Sequence, residues 1–226
     1  MAILILDTET CPIEPCDKVA KQNNLVYNIG WRIVYPSVGK AGESKSYLVK
    51  EIFIDEAQKM ATCYYADKLP QYHEGMKTHQ YTLAGFFDII ADLAETCNRC
   101  HVTAICAHNA AFDIDALNTT IRYLTGLHTI RALPQNIEVW DSVKMANSIL
   151  GTNKKYKQWC MTNNYMTKHK NPRPRMTAEI LYKYITGNLD IKEEHTALAD
   201  VIIETEIVFY LYSKHKKMNC VLYPAC

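Results

Sequence analysis

Ala2-Ile3-Leu4-Ile5-Leu6-Asp7-Thr8-Glu9 sets an unbroken apolar run directly before two carboxylates. A continuous run of this kind is the signature of a strand buried on both faces, which places it inside a sheet rather than at its edge. It is too brief for a signal h-region and far short of a spanning helix. Residues i and i+2 of a strand share a face about 6.6 Å apart along the chain. Asp7 and Glu9 therefore face one place. Like charges that close raise each other's pKa unless a cation sits between them, and hard divalent cations prefer carboxylate oxygens.

Working outward, Asn24 to Tyr35 and Ser46 to Ile54 are rich in Val, Ile, Tyr and Phe and flank the turn-like Pro36-Ser37-Val38-Gly39-Lys40-Ala41-Gly42. They predict a β-hairpin beside the first strand. Leu83, Phe86, Phe87, Ile90 and Leu93 recur at helical spacing and predict a helix from Thr82 to about Arg99. Val102 to Ala107 reads as a second buried strand, handing over at His108-Asn109 to a helix with Phe112, Leu117, Ile121 and Leu124 on one face. Phe112 is expected in the core. Beyond Gly126 and Pro134, Ile137 to Ser142 reads as a strand leading into a helix through Leu150, and Ala197 to Lys214 as a long helix. No repeat, linker or low-complexity tract divides the chain. The expectation is one α/β domain over 1–226.

Composition agrees with this: 226 residues, 48% hydrophobic and 22% charged, are ordinary for a globular chain. With 25 Lys+Arg against 24 Asp+Glu the net charge is +1, so no global field points to nucleic acid, membrane or an acidic partner. The exception is local. A basic insertion at about 153–175 carries Lys154, Lys155, Lys157, Lys168, Lys170, Arg173 and Arg175 with no acid among them. Tyr156, Trp159 and Tyr165 are interleaved, and cations track phosphates while aromatic faces stack unpaired bases. Asn171-Pro172-Arg173-Pro174-Arg175 cannot continue a helix and is expected to run extended near the active-site edge. Cys97-Asn98-Arg99-Cys100-His101 matches the haem-attachment pattern, but no second C-x-x-C exists to close a zinc site. The nine cysteines read as reduced thiols of a cytoplasmic protein.

Two further acidic elements complete the pattern. In His108-Asn109-Ala110-Ala111-Phe112-Asp113, a strand gives way to a helix, where ligands of open sheets gather. Asp113 is the candidate carboxylate. Asp115, about 200° around the helix, belongs to solvent, and Asn109 is suited both to cap the helix and to touch substrate. In His195-Thr196-Ala197-Leu198-Ala199-Asp200, five helical steps would turn His195 and Asp200 about 140° apart. A break between them is therefore expected, with His195 in the entering loop. Glu204, one turn after Asp200, reads as a helix ion-pair partner or an acceptor outside the ligand set.

Together, D-x-E, H-N-x-x-F-D-x-x-x-L and H-x-A-x-x-D, in that order from Asp7 to Asp200, resemble the DEDD family of 3′-to-5′ exonucleases, the DnaQ-like group. Thr196 stands where the tyrosine branch has its tyrosine, and His195 resembles the histidine of the DEDDh branch. The resemblance implies a ribonuclease H-like fold, a mixed five-stranded sheet flanked by helices. It implies that Asp7, Glu9, Asp113 and Asp200 hold two divalent cations, with Asp7 bridging, and that His195 is the general base. Mg²⁺ is the expected ion and Mn²⁺ its substitute. Thr10, His108 and Asn109 are the expected substrate contacts within the motifs, and Lys168, Lys170, Arg173 and Arg175 outside them. Many members continue D-x-E-T-T-G, whereas Thr10 is followed here by Cys11-Pro12, which alters the terminal-nucleotide pocket.

The expected function is a Mg²⁺-dependent 3′-to-5′ exonuclease releasing nucleoside monophosphates from single-stranded ends, DNA being favoured. An RNA-processing or oligoribonucleotide-degrading exonuclease of the same fold is the nearest rival. A metal-dependent nucleic-acid-binding module without turnover is the rival from another class. The partner is single-stranded nucleic acid with a 3′ end and not a membrane. The style of the insertion resembles exonucleases encoded by bacterial viruses, which would place the protein in the host cytoplasm.

Overall fold

The computed structural model describes residues 1–14 and 23–225. Its strands are β1 (Ala2–Pro12), β2 (Asn24–Tyr35), β3 (Lys40–Val49), β4 (Thr82–Ala84), β5 (Val102–Ala107), β6 (Glu138–Asp141) and β7 (Val221–Tyr223). Its helices are α1 (Lys50–Phe53), α2 (Ala57–Met60), α3 (Leu69–Lys77), α4 (Phe86–Arg99), α5 (Ala110–Thr125), α6 (Ser142–Leu150), α7 (Lys154–Thr162), α8 (Ala178–Thr186) and α9 (Ala197–Tyr212). All the strands join one mixed sheet in the order β4-β3-β2-β1-β5-β6-β7.

The opening strand lies in the middle of that sheet, antiparallel to β2 and parallel to β5. Its side chains alternate between two cores. Leu4 and Leu6 pack with Tyr27, Ile29, Trp31, Leu93 and Leu117, whereas Ile3 and Ile5 pack with Met145, Leu181, Val201 and Val208. Burying each such side chain contributes about 1.5–3 kcal/mol, so the strand is anchored in both layers before it reaches its acids.

Three expectations are corrected. The sheet has seven strands, not five, because three-residue strands β4 and β7 extend its two ends. The helix expected from Thr82 begins at Phe86: Thr82–Ala84 pair with Tyr47–Val49, and Leu83, 40% exposed, belongs to the sheet edge. The second hairpin strand starts at Lys40, because Gly39 takes the left-handed conformation (φ 62°) that closes the turn and lets Lys40 pair at once with Tyr35. The same strand ends at Val49, and Lys50–Phe53 turn helical instead of extending it.

Candidate active site

Period-two alternation puts Ile3, Ile5, Asp7 and Glu9 on the face of β1 covered by α9. In the β1–β2 register Asp7 lies opposite Gly30 and Glu9 opposite Asn28. Both partners seat α9. A Cβ at Gly30 would stand 2.6 Å from Leu198 N and 2.7 Å from the Ala197 carbonyl carbon, so only glycine lets the first turn rest on the sheet. Asn28 Oδ1 accepts the Ala197 N–H at 2.9 Å, while its Nδ2 donates to the Tyr47 carbonyl at 2.8 Å. Thr196, at the N-cap, makes no side-chain capping bond. A buried strand residue thus satisfies one of the helix's orphan amides.

That docking brings the acids together. Asp200 lies in the first turn of α9 and Glu204 one turn on. His195 precedes the helix with φ 53°, the break that the spacing required. Asp113 comes from α5 in the opposite layer, and its Oδ1 accepts from the Thr8 N–H at 3.1 Å and the Thr8 hydroxyl at 2.8 Å. Glu9, His195 and Asp200 offer ligand atoms within 4.8 Å of one another, the one His/Cys/Asp/Glu group of this kind found among the described residues. The ring of Tyr65 stacks on His195, centroids 4.2 Å apart and 13° from parallel. His195 Nδ1 lies 4.0 Å from both Glu193 Oε2 and Asp200 Oδ2.

Burial is the main force on these carboxyls. It raises Asp7 well above the carboxylate range, helped by Asp113, Glu204 and Glu9, and it lifts Glu9 to about 8, helped by Asp200 and Asp113. Asp113 rises to about 7 through burial, against the Thr8 hydrogen bonds, and Asp200 to about 7 through burial and Glu193. Glu204 is raised by burial and by Asp113 and Asp200. Burial and the Lys68 ammonium hold His195 below its usual value. Three buried carboxylate oxygens, Asp7 Oδ2, Asp200 Oδ1 and Glu204 Oε2, have no hydrogen-bond partner among the described residues. Orphaned anionic oxygens converging in one place fit a divalent cation by the chemistry of the donor set.

The acids open into a groove of about 1130 Å³, where Asp7, Asp200 and Glu204 share the lining with Lys170, Arg173 and Arg175. The basic insertion is α7 followed by an antiparallel loop, in which Met166 bridges to Pro174 and Arg175 N–H bonds the Tyr165 carbonyl at 3.0 Å. The extended Pro-Arg segment is thus at the site's edge. Lys168 and Thr10 lie outside the groove lining, and Thr10 follows a register shift at Glu9.

Several expectations change. Tyr156, Trp159 and Tyr165 are not a free stacking surface: Tyr156 is fully buried, donates to the Arg175 carbonyl at 2.5 Å and packs with Trp159, which also contacts Tyr165 and Tyr184. His108 lines the groove, yet both ring nitrogens are engaged, Nδ1 with Ser142 Oγ and Nε2 with the Met176 carbonyl, each at 2.7 Å. It straps the basic loop to the end of β5. Asn109 makes no side-chain cap; it adopts a left-handed turn (φ 66°), and its N–H bonds Asp141 Oδ1 at 3.1 Å while its side chain lies at the groove. Phe112 is half-buried, not core, and Asp115 is exposed as expected. Cys11 is buried in the first core. Cys97 is core, and the Cys100 thiol donates a hydrogen bond to Glu43 Oε1 at 3.4 Å.

Sequence reasoning missed Asn28, Gly30 and Tyr65, and set Glu204 outside the acidic set. A Gly in a strand interior was the available signal, since it marks a close backbone approach. Nothing in the sequence ties Tyr65 to His195.

No protein-family model matches the sequence, and no curated relative is found. Solved structures do match. A full-length 3′-exonuclease superposes with TM-score 0.60 at 10% identity, covering 97% of this chain and 84% of that one. The nuclease domain of 3′hExo, a DEDDh family member bound to rAMP, gives 0.58 at 12%, covering 96% of each chain. A 3′-exonuclease recognising the 3′ end of a histone mRNA stem-loop gives 0.60 at 11%, covering 96% of this chain and 84% of that one. At such identities the likeness establishes the fold. This chain has the α/β fold of those 3′-exonucleases, a mixed sheet with helices on both faces.

Proposed function

We propose that this protein is a 3′-to-5′ exonuclease hydrolysing phosphodiester bonds at single-stranded nucleic acid ends and releasing nucleoside monophosphates. The observation that carries the proposal is the gathering of Glu9, His195 and Asp200 within 4.8 Å of one another, with Asp7 and Asp113 close enough for their charges to act, beside a groove lined by Asp7, Asp200, Lys170, Arg173 and Arg175. Asp7, Glu9, Asp113 and Asp200 would hold the cations, Mg²⁺ by choice of oxygen donors. Two such ions, when bound, supply Lewis-acid stabilisation of the phosphoryl oxygens and of the entering and leaving groups.

The residues then divide the remaining work. His195 is neutral near pH 7, since burial and Lys68 lower its pKa. Its Nδ1 faces the Glu193 and Asp200 carboxylates, which favour the proton there and leave the Nε2 lone pair to accept one from the attacking water. The same carboxylates stabilise the imidazolium that results. Tyr65 limits the ring's rotation by stacking. Lys170, Arg173 and Arg175 hold backbone phosphates upstream of the scissile bond.

DNA is the favoured substrate. The rAMP and histone mRNA bound by the similar structures favour RNA as the second reading. Matched 5′-labelled DNA and RNA oligomers incubated with Mg²⁺ are expected to give a ladder shortening from the 3′ end, faster on the preferred sugar. Binding of both oligomers without monophosphate release, in Mg²⁺ and in Mn²⁺, would overturn the proposal in favour of a binding module.

His195→Gln is expected to lower kcat by about 10²–10⁴-fold, the usual range for a lost general base, with Mn²⁺ affinity retained. Turnover equal to wild type would refute the assignment of the base. Replacing Lys170, Arg173 and Arg175 with Ser is expected to flatten the salt dependence of oligonucleotide binding by about 2 in log–log slope, at roughly 0.7 per phosphate contact. Lys168→Ser, outside the groove lining, is expected to leave the slope unchanged. An unchanged slope in the triple variant would move the substrate track elsewhere.

A further inference from the structure

Glu204 does not behave as an ion-pair partner on its helix. It takes part in none of the ion pairs found among the described residues. It is 3% exposed, and its Oε2 has no hydrogen-bond partner. A buried carboxyl needs a cation or donor if ionised and an acceptor if protonated. The carboxyl accepts from the His108 backbone N–H, but among the described residues its Oε2 has neither.

Its neighbours say what is missing. Glu204 shares the groove lining with Asp7 and Asp200, and those two residues carry the other orphaned carboxylate oxygens. Glu204 also lies close enough to Asp113 and Asp200 for their charges to act on it. Hydrophobic residues cover the rest of α9: Val201, Ile207, Val208 and Leu211 are fully buried. A solvated acid is therefore not being tolerated at a surface. A carboxylate has been placed in a core helix, one turn beyond Asp200 and on the same face, lining the groove with Asp7 and Asp200.

We infer that Glu204 is a fifth acid of the metal centre, a ligand to one of its cations beside Asp7, Asp113 and Asp200. The inference rests on the exonuclease reading only in that this reading expects divalent cations; the ligand assignment itself stands on burial and orphaned oxygens. Its chemical consequence is an excess of anionic oxygen at one of two ion positions. That position should hold a hard cation more tightly than four acids would.

The test is calorimetric titration of the intact protein with Mn²⁺, together with thermal melting with and without the ion. Wild type is expected to take up two ions. Glu204→Gln, which keeps the side-chain volume, is expected to weaken one of them by at least about tenfold, leave the other unchanged and shrink the Mn²⁺-induced rise in Tm. Glu204→Asp, which keeps the charge but draws it back by one methylene, is expected to weaken the same ion by a smaller factor. Wild-type affinities and an undiminished Tm rise in both variants would overturn the inference while leaving the exonuclease reading intact. No Mn²⁺ uptake by wild type would overturn both.

Discussion

Asp7→Asn is expected to lower oligonucleotide hydrolysis by roughly 10³-fold or more, and, in EDTA at pH 8, to raise the melting temperature. The two effects share one cause. Five carboxyls, Asp7, Glu9, Asp113, Asp200 and Glu204, converge in the interior, and burial is the largest cause raising each; neighbouring acids add to it for Asp7, Glu9 and Glu204, Glu193 for Asp200, and Asp141 for Asp113 against the Thr8 hydrogen bonds. A carboxyl raised on folding binds more protons in the folded chain than in the unfolded one. Its contribution is favourable below the unfolded pKa, near 4, and is lost as pH climbs through the folded value. For Asp113 and Asp200 that value is about 7 and for Glu9 about 8, so metal-free stability is expected to decline between pH 4 and 8.

Replacing Asp7 with its amide removes one desolvated charge from the cluster. The gain is read as a rise in melting temperature, about 2–4 °C for each kcal/mol recovered in a chain of this size. Saturating Mn²⁺ is expected to flatten the wild-type decline, since cations bind the ionised form, and to do less for the variant. Asp7 would be one of the carboxylates holding the cations, and losing it would remove several kcal/mol of transition-state stabilisation, which gives the fall in rate. Melting curves at several pH values, with EDTA and with Mn²⁺, check the stability half. An Asp7→Asn variant no more stable than wild type in EDTA at pH 8 would show that these acids do not repel one another in the folded protein.

This tension explains which parts of the site were legible in the sequence. Strong apolar runs fall where both layers cover a strand, so β1 and β5 were readable; Asp7 and Glu9 continue the first strand, and Asp113 lies in the first turn of the helix after the second. Asp7 and Glu9 lie within β1, where period two fixes their common face, whereas Asp113, His195 and Asp200 sit at or beside the start of a helix, where spacing constrains direction. Short edge strands such as β4 were not readable, because three residues carry no period and gain their pairing only from a neighbour distant in sequence. The aromatics of α7 misled for a related reason. Tyr156 and Trp159 alternate with lysines as in a binding surface, and only the tertiary position of α8 turns them into core. Glu204 was undervalued because a charge in helical spacing is ordinarily solvated, and nothing local reveals that α9 is buried along most of its length.

Gly30→Ala is expected to reduce turnover by at least about 10²-fold and to weaken Mn²⁺ binding, although residue 30 carries no chemistry. The added Cβ would stand 2.6 Å from Leu198 N and 2.9 Å from Leu198 Cα, and these are backbone atoms that cannot rotate aside. Helix α9 must lift at its first turn by most of an ångström. Asp200 lifts with it, as does His195, and both separate from Asp7 and Glu9 on the sheet beneath. The Ala197 N–H to Asn28 bond lengthens as well. A displacement near 1 Å at a reacting centre is enough for about a hundredfold loss, and overpacking costs about 1–3 kcal/mol in stability. Gly42→Ala serves as the control: its Cβ would meet atoms at an ordinary 3.5 Å, so activity and melting temperature are expected to match wild type. The stability penalty alone cannot produce the fall in kcat at temperatures well below the transition, because the folded fraction would still be near unity. If Gly30→Ala retains wild-type turnover and Mn²⁺ affinity, the seating of α9 on β2 does not place Asp200 and His195, and their alignment must come from the loop before the helix.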